Sequence, residues 1–208
     1  MNTAQNALEL RISKELKAKL FGYSIVKTYC AGDVILHEHI PTRSIPIVNR
    51  GLIRVMRTEK DGRELLLYYI KAGESCIMSF LGGLHNKPSK VRAEVEEDAE
   101  VLFLPIERAT WLLREHPEWL DYIFKLYYQR FEELLEVIHA IAFKKLDERL
   151  LMLLNTKSEL LHSNTIAITH EQLANELGTA RVVVSRLLKQ LELDGMVKLE
   201  RNRITLLL

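Results

Sequence analysis

Cysteine is nearly absent: Cys30 and Cys76 are the only two in 208 residues. That excludes a disulfide framework, a four-thiolate zinc site and an all-cysteine iron–sulfur cluster within one chain. Net charge is nearly absent too, because 29 Lys and Arg stand against 28 Asp and Glu, giving +1 at pH 7. This balance excludes a strongly basic protein but leaves room for a local basic patch. Long hydrophobic runs are missing. The longest, Leu65–Ile70 and Leu150–Leu154, fall far short of the ~18 residues that suggest a membrane span. The N-terminal stretch mixes charges with apolar residues and has no signal-peptide core. Internal repeats and low-complexity segments do not occur. What remains, 48% hydrophobic and 27% charged residues, is ordinary globular usage. It predicts a soluble, cytoplasmic protein of one large or two small domains with no membrane partner.

From about Ser24 to Leu104 the sequence reads as short strands separated by turn signals, the pattern of a barrel or sandwich. Ala31-Gly32-Asp33 and Asn49-Arg50-Gly51 mark turns, and Leu52–Arg57 alternates in hydrophobicity. Asp61-Gly62 then marks a tight hairpin before the run Leu65–Ile70, because such a turn needs positive φ. Further strands are expected at Val91–Val95 and Ala99–Leu104. The five acids within Glu94–Glu100 read as a solvated strand edge and hairpin tip. From about Ile106 to Leu154 the pattern turns helical. Leu120, Phe124, Tyr127, Phe131, Leu134, Ile138 and Ile141 recur at spacings of 4, 3, 4, 3, 4 and 3, a heptad seam suited to pairing with the same helix of a second subunit. Flanking apolar positions widen the stripe toward the β-domain, and a junction is placed near Phe143.

The segment Ile168–Leu188 carries the strongest functional signal. Thr169 followed by Gln172 is a capping box, so a helix starts at His170. Leu173 and Leu177 face inward, Ala174 allows close approach, and Gly178 supplies a left-handed stop. Thr179 offers a hydroxyl to cap a second helix that buries Val184, Leu187, Leu188 and Leu191. Two short helices on a glycine turn form a helix-turn-helix. The outer face of the second helix carries Arg181, Val182, Ser185, Arg186 and Lys189. Arg can pair with guanine O6 and N7, Ser with a base edge or phosphate, and Val with a thymine methyl. After Asp194-Gly195 the chain alternates, with Lys198, Arg201 and Arg203 outward, as a short wing. Residues 181–208 hold six basic groups (Arg181, Arg186, Lys189, Lys198, Arg201, Arg203) and three acids (Glu192, Asp194, Glu200), a local balance of 6 − 3 = +3. Together with Thr169 and Thr179 these residues form the candidate DNA-binding set.

In this order of elements the chain resembles the family of the cyclic AMP receptor protein and the fumarate–nitrate reduction regulator, the Crp/Fnr family. The matching segments are Ala31–Ile35, Asn49–Val55, Asp61–Glu64, Ala72-Gly73-Glu74, Leu146–Leu150 and Ala174–Leu188, spread over nearly the whole chain. The resemblance implies an α+β architecture in three parts. An N-terminal β-roll of the cyclic-nucleotide-binding jelly-roll type, with a leading helix, spans 1–105. A long dimerisation helix spans 106–143, and a C-terminal winged helix-turn-helix spans 144–208. It further implies a homodimeric transcription regulator that reads two-fold symmetric double-stranded DNA, with RNA polymerase as a further partner. Base contacts carry over to Arg181, Ser185 and Arg186. The family commonly has Glu where this chain has Val182, so a half-site with a T·A pair opposite Val182 is expected.

In the family's cyclic-nucleotide binders, a Gly-Glu pair and a later Arg-Ser/Thr-Ala hold ribose and cyclic phosphate. Here the effector-pocket candidates are Gly73, Glu74, Ser75, Cys76, Ser89, Arg92 and Ala93. Ile77-Met78 fills the second Gly-Glu position and Ser89 stands where the Arg belongs, so cyclic AMP is disfavoured. Arg92-Ala93 lies three residues on. An oxygen-labile cluster in the family needs an N-terminal cysteine group, which this N-terminus lacks. Met78, His85, His116 and Cys76 are candidate haem ligands. His37 and His39 share one expected strand face but lack a third ligand, so no metal site is assigned. Cys76 reads as a small buried hydrophobe or as a redox-active thiol. No nucleophile–base–orienter signature, phosphate loop or metal quartet marks an enzyme. The alternatives are a ligand-binding module that regulates a partner protein, and a haem or redox sensor of the same family.

Overall fold

The computed structural model describes residues 12–59 and 64–207, and the expected Asp61-Gly62 turn lies outside them. The described residues form two compact units. One comprises residues up to 57 with 67–134; the other comprises Thr58, Glu59 and 64–66 with 135–207. The architecture is α+β, with an N-terminal β-domain, a long helix and a C-terminal helix-turn-helix domain.

The first unit opens with helix α1 (Lys14–Tyr23), capped by Ser13, whose hydroxyl accepts the Leu16 N–H. Strands β1 (Ile25–Tyr29), β2 (Val34–Leu36), β3 (Ser44–Thr58), β4 (Glu64–Ile70) and β5 (Arg92–Pro105) follow, with helix α2 (Ile77–Leu84) between the last two. They pair in the order β1-β5-β3-β4, with β2 also on β5. Helices α3 (Ile106–Glu115) and α4 (Pro117–Phe143) come next. Pro117 starts α4 where its missing N–H is no loss, and this divides the expected helical stretch at His116. One core packs Leu16 and Leu20 of α1 against Ile45, Leu102, Leu112, Trp119 and Ile123. A second fills the roll with Val48, Ile53, Tyr68, Ile70, Cys76, Ala93 and Val101.

Two expected breaks are absent. Asn49-Arg50-Gly51 is not a turn: β3 runs through it, and the pairing to β5 shifts register between Val48 and Arg50 and again between Arg50 and Leu52. Gly51 takes φ 94°, so the signal marks a bulge inside one strand. Likewise β5 is continuous, so the acids do not form a hairpin tip. Arg54 pairs with Glu94 and Glu96, Arg92 pairs with Glu94, and Asn49 donates to Glu100. These partners accompany a buried Glu94 and half-buried Glu96 and Glu100, while Glu97 and Asp98 stay exposed. His37 and His39 also leave the expected strand face: His37 lies just past the end of β2, and His39 sits in the turn that follows, at φ 62°.

The bulge gives a stability prediction. A Cβ on Gly51 would sit 2.5 Å from the Asp98 carbonyl oxygen and 2.7 Å from Ala99 Cα, both backbone atoms, whereas Gly32 at φ 92° has open space. Gly32→Ala therefore costs only the positive-φ strain, about 1–2 kcal/mol. Gly51→Ala is expected to cost clearly more in urea unfolding, and equal midpoints for the two would contradict this.

The second unit contains helix α5 (Leu146–Leu160), strand β6 (Thr165–Ile166), helices α6 (His170–Leu177) and α7 (Arg181–Leu193), and strands β7 (Val197–Glu200) and β8 (Arg203–Leu206). The small sheet runs β6-β8-β7. Leu150, Leu154, Leu173, Val184, Leu188, Val197 and Ile204 form its core.

Candidate nucleic-acid interface and effector cassette

Helix α6 begins with the expected capping box. The Thr169 hydroxyl accepts the Gln172 N–H at 3.1 Å, and the Gln172 side-chain Oε1 accepts the Thr169 N–H at 2.8 Å. Gly178 stops the helix at φ 67°. Thr179 does not cap α7. Its N–H closes on the Ala174 carbonyl at 2.9 Å, as the reversal after a left-handed residue requires. The cap falls on Ala180, with no side-chain hydrogen bond. This leaves the first N–H groups of α7 available to an anion.

Val184, Leu188 and Leu191 bury one face of α7, while Arg181, Arg186 and Lys189 are exposed on the other. Val182 is 79% exposed on the same outward side. Ser185 is half-buried, its hydroxyl 2.9 Å from His170 Nδ1. Lys189 pairs with Glu192 at 2.7 Å and Lys198 with Glu200 at 2.8 Å. Arg201 and Arg203 flank Asn202, which takes φ 55° at the tip of the β7–β8 wing. Glu192 also accepts the Leu199 N–H at 3.0 Å, tying the end of α7 to that wing.

The reading head has supports that sequence reasoning missed. Arg149 of α5 donates to the Leu177 carbonyl at 2.9 Å, holding the last turn of α6. Lys157 and Glu176 form an ion pair at 3.2 Å with both side chains 1% exposed. Charged residues on helices read as surface, and only a three-dimensional partner explains such burial.

In the first unit, Gly73–Ser79 forms a tight cassette. Gly73 takes φ 83° and its N–H donates to Val48 O at 2.8 Å. The Ser75 hydroxyl donates to Pro46 O at 2.7 Å, and Cys76, fully buried, lies 3.9 Å from the Tyr68 hydroxyl. Helix α4 grips this cassette. Tyr122 OH donates to Gly73 O at 2.9 Å and Tyr127 OH to Ile77 O at 3.3 Å. Gln129 Nε2 donates to Glu74 Oε1 at 2.9 Å, and Arg130 bridges Glu74 and Glu133. The Arg130 guanidinium also lies over the Tyr68 ring at 4.7 Å, a cation–π contact. Burial pushes the Tyr127 phenol up to about 12, so it stays a donor at any physiological pH.

The remaining pocket candidates do not converge on Glu74. Ser89 closes on its own loop, donating to Val91 O at 2.8 Å, and Arg92 pairs with Glu94 at 2.7 Å. Ala93 and Cys76 share the roll core. Of the haem candidates, Met78 packs against that core, His85 is exposed at the end of α2, and His116 Nε2 lies 3.0 Å from Lys19 Nζ. Among the described residues, no three His, Cys, Asp or Glu gather into a metal-binding group, and no helix is long and apolar enough to cross a membrane.

Along α4, the exposed large apolar residues are Leu120, Phe124, Tyr128, Phe131, Leu135, Ile138, Ile141 and Phe143. Tyr127 and Leu134, expected in the seam, are instead half-buried. A straight helix drifts against a strict heptad, and the bond from Tyr127 to Ile77 draws that side chain toward the roll.

Residues 26–116 match the cyclic nucleotide-binding domain family and residues 144–207 the Crp-like helix-turn-helix domain family. The chain is 26% identical over 191 residues to the transcriptional regulator SdrP of Thermus thermophilus, covering 86% of this chain and 88% of the relative. It is 24% identical over 190 residues to the global nitrogen regulator of Nostoc sp., covering 87% and 84%. A crystal structure from Eubacterium rectale, assigned to the Crp/Fnr family, superposes with a TM-score of 0.82 at 27% identity, covering 100% of this chain and 91% of that one.

Proposed function

Because the chain belongs to the Crp/Fnr family of DNA-binding transcription regulators, we propose that it acts as a homodimer on a two-fold symmetric site, with one α7 in each half-site. The observation that carries this reading is the two-faced α7. Three core residues hold one side, while Arg181, Val182 and Arg186 project from the other, and no ion pair engages either arginine among the described residues. The arginines read guanine, and Val182 meets a thymine methyl. Lys189, Arg201, Arg203 and the free start of α7 engage phosphates and set the register.

The exposed stripe on α4 supports the dimer. Phe124, Phe131 and Ile138 are 64%, 62% and 61% exposed, and a solvent-facing row of large apolar side chains marks a protein interface. Pairing with the same stripe of a second copy buries it by the knobs-into-holes packing of a heptad seam.

The sensing unit, in this reading, does not take cyclic AMP. Ile77, Met78 and Ser89 offer neither the carboxylate nor the guanidinium that ribose and phosphate require. Arg92 is spent on Glu94, and the Glu74 carboxylate is already paired with Arg130.

Selection of random duplexes by the purified protein, with and without cyclic AMP, tests all three parts. The expected product is a two-fold symmetric site with a T·A pair opposite Val182, unchanged by cyclic AMP. Its affinity should fall with salt at a log–log slope of about −0.9 per phosphate contacted. A single-subunit protein without preference among duplexes would overturn the reading, and micromolar cyclic AMP binding by calorimetry would overturn its effector part.

A further inference from the structure

The Ser185 hydroxyl is the one short polar group on the outward face of α7, and it is not free. His170, the first residue of α6, places Nδ1 2.9 Å from it, across a separation of 15 residues. Arg181 stands one helical turn before Ser185 on the same face. The hydroxyl has one proton and two lone pairs, so whatever the ring does with its side of this bond decides what remains for a DNA base. We propose that His170 is a positioning residue for DNA reading, which fixes the Ser185 hydroxyl and sets whether it offers a base edge an acceptor or a donor. This rests on the reading of α7 as the recognition helix.

A neutral imidazole carries one proton. With that proton on Nε2, which has no partner among the described residues, Nδ1 accepts the Ser185 O–H. Ser185 Oγ then presents only lone pairs, which suit the amino groups of adenine N6 or cytosine N4 in the major groove. A second proton, on Nδ1, reverses the bond. The ring now donates to Oγ, and the freed hydroxyl proton suits guanine O6 and N7 or thymine O4. One protonation event therefore exchanges one class of base edge for the other without moving the helix.

Burial and the positive charge of Arg181 hold the imidazole below its ordinary value, so the ring is neutral at pH 7, and with its proton on Nε2 the acceptor form of Ser185 prevails. Arg181 is the charged group acting on the ring from α7, and on α6 the exposed Glu171 adjoins it in sequence. Lowering the pH through the imidazole range switches the hydroxyl to a donor.

The test uses the full-length protein and anisotropy titrations on its selected site, with all four base pairs placed at the position whose preference Ser185→Ala erases. Titrations are run at about pH 8 and at the lowest pH that leaves the thermal melt unchanged, below the ordinary imidazole value. The wild type should favour the amino-bearing base by about tenfold at the higher pH, as for one matched pair, and lose or invert that preference at the lower. His170→Asn can keep a hydrogen bond from the Nδ position but does not titrate, so its preference should hold at both pH values. A wild-type preference that ignores pH, or a His170→Asn protein with the wild-type profile, would overturn the proposal. Arg186→Ala separates the two levels. If it loses specific binding while His170 proves irrelevant, only this inference fails; if the wild type discriminates among no duplexes, the DNA reading fails with it.

Discussion

Arg186→Ala is expected to remove sequence-specific DNA binding while leaving the fold intact. Arg186 is exposed in the middle of the outward face of α7, with none of the core residues depending on it. A bidentate arginine–guanine pair discriminates by about 1–3 kcal/mol. A symmetric dimer makes the contact twice, so the loss should reach about 2–6 kcal/mol, at least about thirtyfold in affinity. It ends where residual non-specific binding begins. Arg181→Ala should behave alike at its own base step. Lys189→Ala makes the contrast, because a phosphate contact carries no sequence information. Its loss should weaken all duplexes evenly and shorten the salt slope by about one unit per subunit. Anisotropy titrations on selected and scrambled duplexes distinguish these patterns. An Arg186→Ala protein with wild-type specificity and an unchanged thermal melt would show that α7 does not read DNA.

The reading head was legible in the sequence because its signals are local. A capping box needs only Thr169 and Gln172, and a left-handed stop needs only Gly178. The two faces of α7 follow from period 3.6. The β-roll was legible in outline, but glycine signals mislead where a bulge replaces a turn: Gly51 supplies positive φ in both cases, and only the partner strand distinguishes them. Among the acids of β5, Glu97 and Asp98 are exposed as expected, whereas Glu94, Glu96 and Glu100 are not, because their partners, Arg54 and Asn49, lie about 40–50 residues away in sequence, a separation that no local pattern records. His170 was hidden for the same reason, since nothing along the chain links it to Ser185. Arg130 is the sharpest case. Trp119, Ile123 and Leu126 define the buried face of α4, and the next position on that face is Arg130. The period points inward while the charge points to the surface, and the carboxylate that makes burial possible is Glu74, 56 residues earlier.

That buried guanidinium carries the second large prediction. The Arg130 side chain is 1% exposed and that of Glu74 14%, so neither can turn to water when the other is removed. Arg130→Met keeps length and stem packing but leaves Glu74 with only the Lys71 N–H and the Gln129 amide as donors. Breaking a buried pair in this way costs about 3–5 kcal/mol, because an uncompensated charge remains. Glu133 contributes less to the loss, since at 34% exposure it can reach solvent. Adding Glu74→Gln to Arg130→Met removes the orphaned charge, so the double variant should be more stable than Arg130→Met alone, with a coupling of at least about 1 kcal/mol. Both tryptophans, Trp111 and Trp119, lie in this unit, so urea unfolding followed by their emission, at fixed protein concentration, reports the unit itself. Additive effects of the two substitutions would mean that Arg130 fills space and nothing more. Coupled effects would make it the bolt between cassette and helix, beside the hydrogen bonds from Tyr122, Tyr127 and Gln129 of α4 to Gly73, Ile77 and Glu74.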